Sequence, residues 1–401
     1  MPFFSRQKNP SLTGMFPDRA FKGKKYEYYD YSLVAVIILL TSFGLVMLYS
    51  TSAYMAELQY NNDMYYFKKQ AFVSVFSIIM SVVVSLIDYH ILQKFFTILY
   101  WGAIALMVLV RTPLGVASHG AKRWLKLGPF QFQPAEVSKI AVIVCMSCLI
   151  ISMGKKVKTM KGSLLLLGLG FFQGAAAMIF TDNLSTAIII CGITAGLVFI
   201  AHPNTKWMIV LGGGIIGFAV LAVWFINKYM QNSTNFRVVR ILVWLHPENY
   251  ASNEGYQTLQ ALYAIGSGGL LGRGLGNSIQ KLGSVPEAQN DFIFSIICEE
   301  LGIVGGVVVL ALFTYLLYRL FFIARNAPDL FGSLLVCGIF IHISLQVILN
   351  VGVVLALLPN TGVTLPFISY GGTSFMFLMG EMGIALSVAR RIRLKEPQVL
   401  L

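Results

Sequence analysis

The stretch VPEAQNDFIFSIICEELGIVGGVVVLALF, from Val285 to Phe313, joins a polar segment to a run apolar enough to enter a bilayer. About 20 predominantly apolar residues suffice to cross roughly 30 Å of hydrocarbon, and this run continues past Phe313 far enough to do so. Yet the stretch carries Asp291, Glu299 and Glu300. A carboxylate at membrane depth costs roughly 2.5–3.5 kcal/mol on insertion scales, so an intramembrane acid is a candidate for function.

Comparable apolar runs lie at about 31–50, 70–87, 91–110, 136–153, 163–180, 184–201, 207–227, 331–352 and 373–389, which with 292–318 makes ten. Across 401 residues the chain is 57% hydrophobic and only 12% charged, too little polar surface to dress a soluble protein. Backbone groups in lipid must be satisfied within their own segment. Runs of this length therefore predict helices, not the short alternating strands of a membrane barrel. The expected fold class is an all-α polytopic membrane protein with about ten transmembrane helices.

The net charge of +13 would suggest nucleic acid in a soluble protein, but here the basic residues sort by side. Arg6, Lys8, Arg19, Lys22, Lys24 and Lys25 precede the first span; Lys155, Lys156, Lys158 and Lys161 follow the fourth; Arg390, Arg391, Arg393 and Lys395 follow the last. The positive-inside rule makes all three groups cytoplasmic, in agreement with an even number of spans. The organisation that follows is a cytoplasmic tail (1–30), a ten-helix membrane domain (31–389) and a second cytoplasmic tail (390–401). The first apolar run is too long for a cleavable signal peptide and has no small-residue cleavage site after it.

Four connections then face outward, at about 51–69, 111–135, 228–291 and 353–372. The third, between helices 7 and 8, is long enough to be functional, and Tyr256, Leu259, Leu262 and Ile265 in it are spaced for a short amphipathic helix. Its glycine run, GSGGLLGRGLGN, follows no strand and matches no phosphate-binding fingerprint; tight turns and close backbone approach are the expectation. The five cysteines fall inside spans, where they read as small hydrophobes. The five histidines show no metal-ligand spacing.

Charged residues near the outer face carry the chemistry. Asp291 reads either as a helix N-cap or as a reactive carboxylate. On a continuous helix Glu299 would share its face about 12 Å away, too far for a paired-carboxylate mechanism, and Glu300 would point the opposite way. In GAKRWLKLGPFQFQPAEVSK (Gly120–Lys139), Pro134 marks a first helical turn, and Glu136 and Lys139 can pair at i, i+3, either satisfying each other or lining a charged cavity. Lys122, Arg123 and Lys126 read as headgroup anchors or ligand contacts. Asp182 in TDNLSTA reads as a helix cap, and Glu381 in the last span calls for a base on another helix. The Pro- and Gly-rich LPNTGVTLPFISYGGTS (Leu358–Ser374), which holds Ser369, is irregular backbone of a kind tolerated at membrane depth only beside protein or a water-filled cavity.

Three separated segments, GAKRWLKLGPFQFQPAEVSK, GLGNSIQKLGSVPEAQNDFIFSIICEELG and LPFISYGGTS, together resemble the bacterial SEDS family (shape, elongation, division and sporulation). The likeness leans toward its division and sporulation branch (FtsW, SpoVE) over its RodA-like elongation branch. The resemblance implies a peptidoglycan glycosyltransferase that polymerises lipid II into a nascent glycan strand at the outer face of the bacterial cytoplasmic membrane during cell division or sporulation, with the division septum as its expected place. It also implies a class B penicillin-binding protein and other divisome proteins as partners. Asp291 occupies the family's essential aspartate position, while Gln289 and Asn290 stand where His and Thr are common. Such a reaction needs a general base, here Asp291, and cations for a polyprenyl pyrophosphate leaving group. Lys122, Arg123, Lys139, Arg240, Arg273 and Lys281 are the candidates, with Glu136, Glu299 and Ser369 completing the expected cavity. No cofactor is evident and no metal ligands are assigned, though a divalent cation such as Mg or Mn would suit a pyrophosphate. The competing expectation is a lipid II flippase, for which the intramembrane acids would form a polar path.

Overall fold

The computed structural model describes residues 29–393 except 119–120, 129, 203–205, 232, 234, 252–254 and 284. The six N-terminal basic residues and Lys395 lie outside the described residues. Every apolar run becomes a helix: α1 (Tyr31–Tyr60), α2 (Tyr65–Leu86), α3 (Ile91–Leu109), α4 (Pro134–Met153), α5 (Met160–Thr181), α6 (Leu184–Ala201), α7 (Lys206–Tyr229), α10 (Ile293–Asn326), α11 (Leu330–Val354) and α12 (Gly372–Ala389). These ten are long and apolar enough to cross a membrane. Two shorter helices, α8 (Phe236–Leu245) and α9 (Tyr256–Gly268), fill the long connection, the second where the spacing of Tyr256, Leu259, Leu262 and Ile265 places it.

The helical fold class with ten spans holds, with one addition and one correction. The connection after α3 forms a small three-stranded antiparallel sheet, β1 (Gly115–Ser118), β2 (Ala121–Leu127) and β3 (Phe130–Phe132), in the order β1-β2-β3. The alternation in KRWLK is a strand signature: Leu125 is buried while Lys122 and Lys126 on the other face are exposed. The connection expected at 51–69 shrinks to residues 61–64, since α1 continues through its polar end to Tyr60.

The core lies where α4, α11 and α12 meet. Small residues set the spacing, as is usual where lipid offers no hydrophobic drive between helices. A Cβ on Gly338 of α11 would come within 2.7 Å of Ile143 on α4. Along α2, Ser74, Ser77, Ser81 and Ser85 form a buried seam against α12, where a Cβ on Gly383 would lie 2.7 Å from the Ser81 carbonyl oxygen. No residue of α7 is buried.

The face opposite Asp291 is closed by polar contacts. Arg319 of α10 pairs with Asp30, the N-cap of α1, at 2.7 Å, and the Tyr89 hydroxyl donates to Asp329. Arg391 reaches Asp88 at 3.5 Å, so both ends of the described chain gather on that face.

Candidate active site

Helix α10 starts at Ile293 with Phe292 as its N-cap and no side-chain cap bond, which removes the capping role for Asp291. Asp291 lies in the turn ahead of the helix and is half-buried. Burial pushes its carboxyl up to about 7; a backbone N–H and the Arg240 guanidinium on α8 pull it down, and the Glu287 carboxylate pushes it further up.

The irregular segment between α11 and α12 forms the other wall. Gly362 has φ +65, the left-handed region that favours glycine, and a Cβ built on it would lie 3.8 Å from Asp291 Oδ2, in ordinary van der Waals contact, so this lip passes alongside the carboxylate. Non-glycine residues in the left-handed region occur on both sides of the cleft, Glu287 in the loop (φ 54) and Phe367 in the lip (φ 63). Such conformations cost about 1–3 kcal/mol and persist only where surrounding structure holds them. Here the holding bonds are visible: Tyr370 N–H donates to the Gln289 carbonyl at 2.9 Å, Gln257 of α9 donates to the Pro286 carbonyl at 2.9 Å, Asn360 donates to Gln257 at 3.1 Å, and Arg240 donates to the Asn360 carbonyl at 3.3 Å.

Two cavities adjoin this assembly. One of about 320 Å³ is lined by Thr51, Gln59, Tyr66, Glu287, Asn290 and Tyr370, with the Tyr66 and Tyr370 rings edge to face at 5.2 Å. The other, about 190 Å³, is lined by Arg240, Trp244, Gln257, Thr258 and Asn360. The segment ending at Asp291 walls the first, and Arg240, whose charge acts on Asp291, belongs to the second.

Glu299 and Glu300 do not line either cavity. Both are fully buried and hold the glycine-rich loop. Glu300 accepts from Lys281 Nζ at 2.8 Å and from the Ser50 hydroxyl at 2.7 Å, which supplies the partner that helical phase alone does not. Glu299 accepts from the Ser278 hydroxyl and from Ile279 N–H at 3.1 Å, with Arg273 at 3.8 Å. The loop can reach these acids because α10 kinks at Gly302 (φ 70), where a Cβ would lie 2.2 Å from the Leu270 carbonyl oxygen; close approach is indeed the use of these glycines. Arg273 and Lys281, expected as pyrophosphate cations, are thereby engaged in ion pairs with Glu299 and Glu300. Lys281 also donates to Ser50 and to the Gly276 carbonyl, although its side chain forms part of the larger cavity's wall.

Glu136 and Lys139 pair with each other at 2.8 Å in the first turns of α4, which begins at Pro134. Lys122 is exposed on β2, while Arg123 donates to the Asp182 carbonyl at 3.3 Å, turned toward the α5–α6 corner. There the cap is Asn183, not Asp182: its side chain accepts from Thr186 N–H, and Asp182 ends α5 in the left-handed region and pairs with Arg111 at 3.1 Å. Ser369 is buried and its hydroxyl accepts from Leu365 N–H at 2.8 Å, a turn-forming role within the lip. Glu381 finds its base in His342 of α11, at 2.8 Å. Of the expected set, the structure thus brings Arg240 to Asp291 and gives Glu136, Lys139, Arg273, Lys281 and Glu299 partners of their own. It adds Glu287, Tyr66 and Tyr370, which no sequence signal singles out, and Gln346 and Asn350, amides at i, i+4 inside an apolar span whose cost in lipid was legible. Among the described residues no group of three or more His, Cys, Asp and Glu side chains could hold a metal ion.

Fold and site define a polytopic helical membrane protein that presents a half-buried carboxylate in an irregular cleft at one end of its bundle. The chain belongs to the FtsW/RodA/SpoVE family, described as cell cycle proteins, whose model matches residues 30–394. It is 36% identical over 367 residues to the stage V sporulation protein E of Bacillus subtilis, covering 91% of this chain and 98% of that one. It is 33% identical to the probable peptidoglycan glycosyltransferase FtsW of Geobacter sp. (strain M18), covering 92% and 99% respectively. Among solved structures it resembles a chain of a peptidoglycan synthase complex that coordinates polymerization and crosslinking (TM-score 0.74, 25% identity, covering 91% of this chain and 98% of that one). The rod shape determining protein RodA of Thermus thermophilus shares the fold (TM-score 0.65, 24% identity, 92% and 98% covered).

Proposed function

We propose that this peptidoglycan glycosyltransferase polymerises lipid II with Asp291 as general base. One observation carries the role of Asp291: its carboxyl, free of any capping duty, stands alongside the Gly362 lip where burial brings it to about 7, and a proton acceptor works best when its pKa lies near the operating pH. In the reaction a sugar hydroxyl of one lipid-linked unit loses its proton to Asp291 as its oxygen bonds to the anomeric carbon of the other. The bond from that carbon to the pyrophosphate oxygen breaks, and the polyprenyl pyrophosphate leaves with the electron pair. Arg240, whose charge acts on Asp291 and which stands in the wall of the smaller cavity, supplies positive charge for the leaving group. The larger cavity, with its aromatic pair and amides, suits a sugar ring.

The flippase alternative is not favoured. A transporter needs a polar route at both faces, whereas here the cavities, strained loop and lip gather at one face and ion pairs close the other. By analogy with the peptidoglycan synthase complex that it resembles, a crosslinking partner, a transpeptidase of the penicillin-binding class, works beside it. The positive-inside rule makes the Asp291 face the outer face of the bacterial membrane, and the septum is the place that the division branch of the family implies. The test is polymerisation of lipid II by the purified protein with that partner. Wild-type protein is expected to form glycan strands and Asp291→Asn none, with partner binding unchanged; full polymerisation by the variant rules out Asp291 as the base.

A further inference from the structure

Helix α11 carries three buried polar side chains spaced by four residues, His342, Gln346 and Asn350, at 1%, 3% and 1% exposure. That spacing places them on one face, about 6 Å apart along the axis. His342 is engaged with Glu381 of α12, and the other two turn their amides toward the cleft. Gln346 Nε2 donates to the Thr364 carbonyl at 3.1 Å. Asn350 Nδ2 donates at 2.7 Å to the Val363 carbonyl and at 2.7 Å to the carbonyl of Asp291 itself. Neither amide can be reversed, because the oxygen would then face carbonyl oxygens and no donor.

We propose that Asn350 is a positioning residue for the reaction, one nitrogen that fastens the backbone of the proposed base to the lip that walls it. The inference rests on the reading of Asp291 as the base. Asp291 precedes its helix, so its carbonyl gains no place from helical regularity before α10 begins. Val363 is next to Gly362, the residue whose backbone runs beside the Asp291 carboxylate. Two carbonyls in a region this buried need a donor each, and the two hydrogens of one carboxamide serve both. The Asn350 amide therefore sets how near Gly362 stands to the carboxylate and how much water reaches it. The second tie, from Tyr370 to Gln289, holds the far end of the lip and keeps the loop attached when Asn350 is changed.

The experiment compares wild-type, Asn350→Leu, Asn350→Gln and Asp291→Asn, each full-length with its penicillin-binding partner, polymerising lipid II across pH 5–9. Leu matches Asn in size and donates nothing; Gln keeps the amide. In Asn350→Leu, kcat is expected to fall at least about tenfold with KM within about threefold, and the acid limb of kcat/KM to move down by about one pH unit as water reaches Asp291. Asn350→Gln is expected to restore the limb. A limb that stays at its wild-type pH in Asn350→Leu overturns the proposal whatever kcat does, since a merely structural loss does not move a titration. If the Leu variant does not extract as a monodisperse protein, Asn350→Ser is measured in its place and judged by the same two outcomes. An inactive Asp291→Asn beside an unmoved limb overturns the positioning role alone; an active Asp291→Asn overturns the base assignment beneath it.

Discussion

With Asp291 as the proposed base, the pH dependence of polymerisation follows from the surroundings of that carboxyl. An ordinary aspartate, near 3.8, is more than 99% ionised at pH 6, whereas a carboxyl held at about 7 is roughly one-tenth ionised there. Because the base acts in its deprotonated form and kcat/KM reports the free enzyme, that ratio is expected to be half-maximal near pH 7 and to fall about tenfold for each further unit of acidity. Initial rates of glycan formation at limiting lipid II, from pH 5 to 9, measure it. The neighbours give a signed control. Glu287 raises the Asp291 carboxyl by like charge, so Glu287→Gln lowers it and moves the limb to lower pH. An acid limb at pH 4–5 in the wild-type, or a Glu287→Gln limb moved upward, would refute the argument that burial sets the base.

The same shift has a stability consequence. A carboxyl raised from 3.8 to about 7 on folding favours the folded state most below pH 3.8 and progressively less as pH rises to 7, so its ionised form is a burden at pH 8. About 3 units correspond to roughly 4 kcal/mol, which partial exposure reduces to about 1–2 kcal/mol; Asp291→Asn should therefore raise Tm at pH 8, with the gain shrinking toward pH 5 in thermal melts. Elsewhere, Glu300→Gln leaves the buried Lys281 charge without its carboxylate at 2.8 Å and should cost about 3–5 kcal/mol, lowering Tm and increasing proteolysis of the 270–283 loop. The double variant Lys281→Met with Glu300→Gln should recover part of that loss; a double variant worse than the single would contradict an ion pair as the cause.

Much of the architecture was legible in the chain because lipid imposes strict length and polarity rules. All ten spans, the start of α4 at Pro134, the α9 helix and the Glu136–Lys139 pair follow from local spacing. The sheet was missed because KRWLK carries two signals, basic aromatic composition and two-residue alternation, and composition was the more conspicuous. Asn183 displaced Asp182 as a cap by a single residue, a distinction made by backbone dihedrals that residue type does not specify.

The sequence by itself determined the class and the number of spans, because both depend on the cost of placing a residue type in lipid and on spacing along one segment, and its resemblance to a family singled out Asp291 as the candidate base. Only the tertiary structure decided which charges act together. Glu300 meets Lys281 and Ser50, the Arg240 charge acts on Asp291, and Asn350 joins the Asp291 and Val363 carbonyls, pairs separated by up to 250 residues in the chain. The kink at Gly302 arises from close backbone approach to Leu270 and Gly272, and the turn at Asp291 is tied by the Asn350 amide to a distant helix; no local periodicity encodes either.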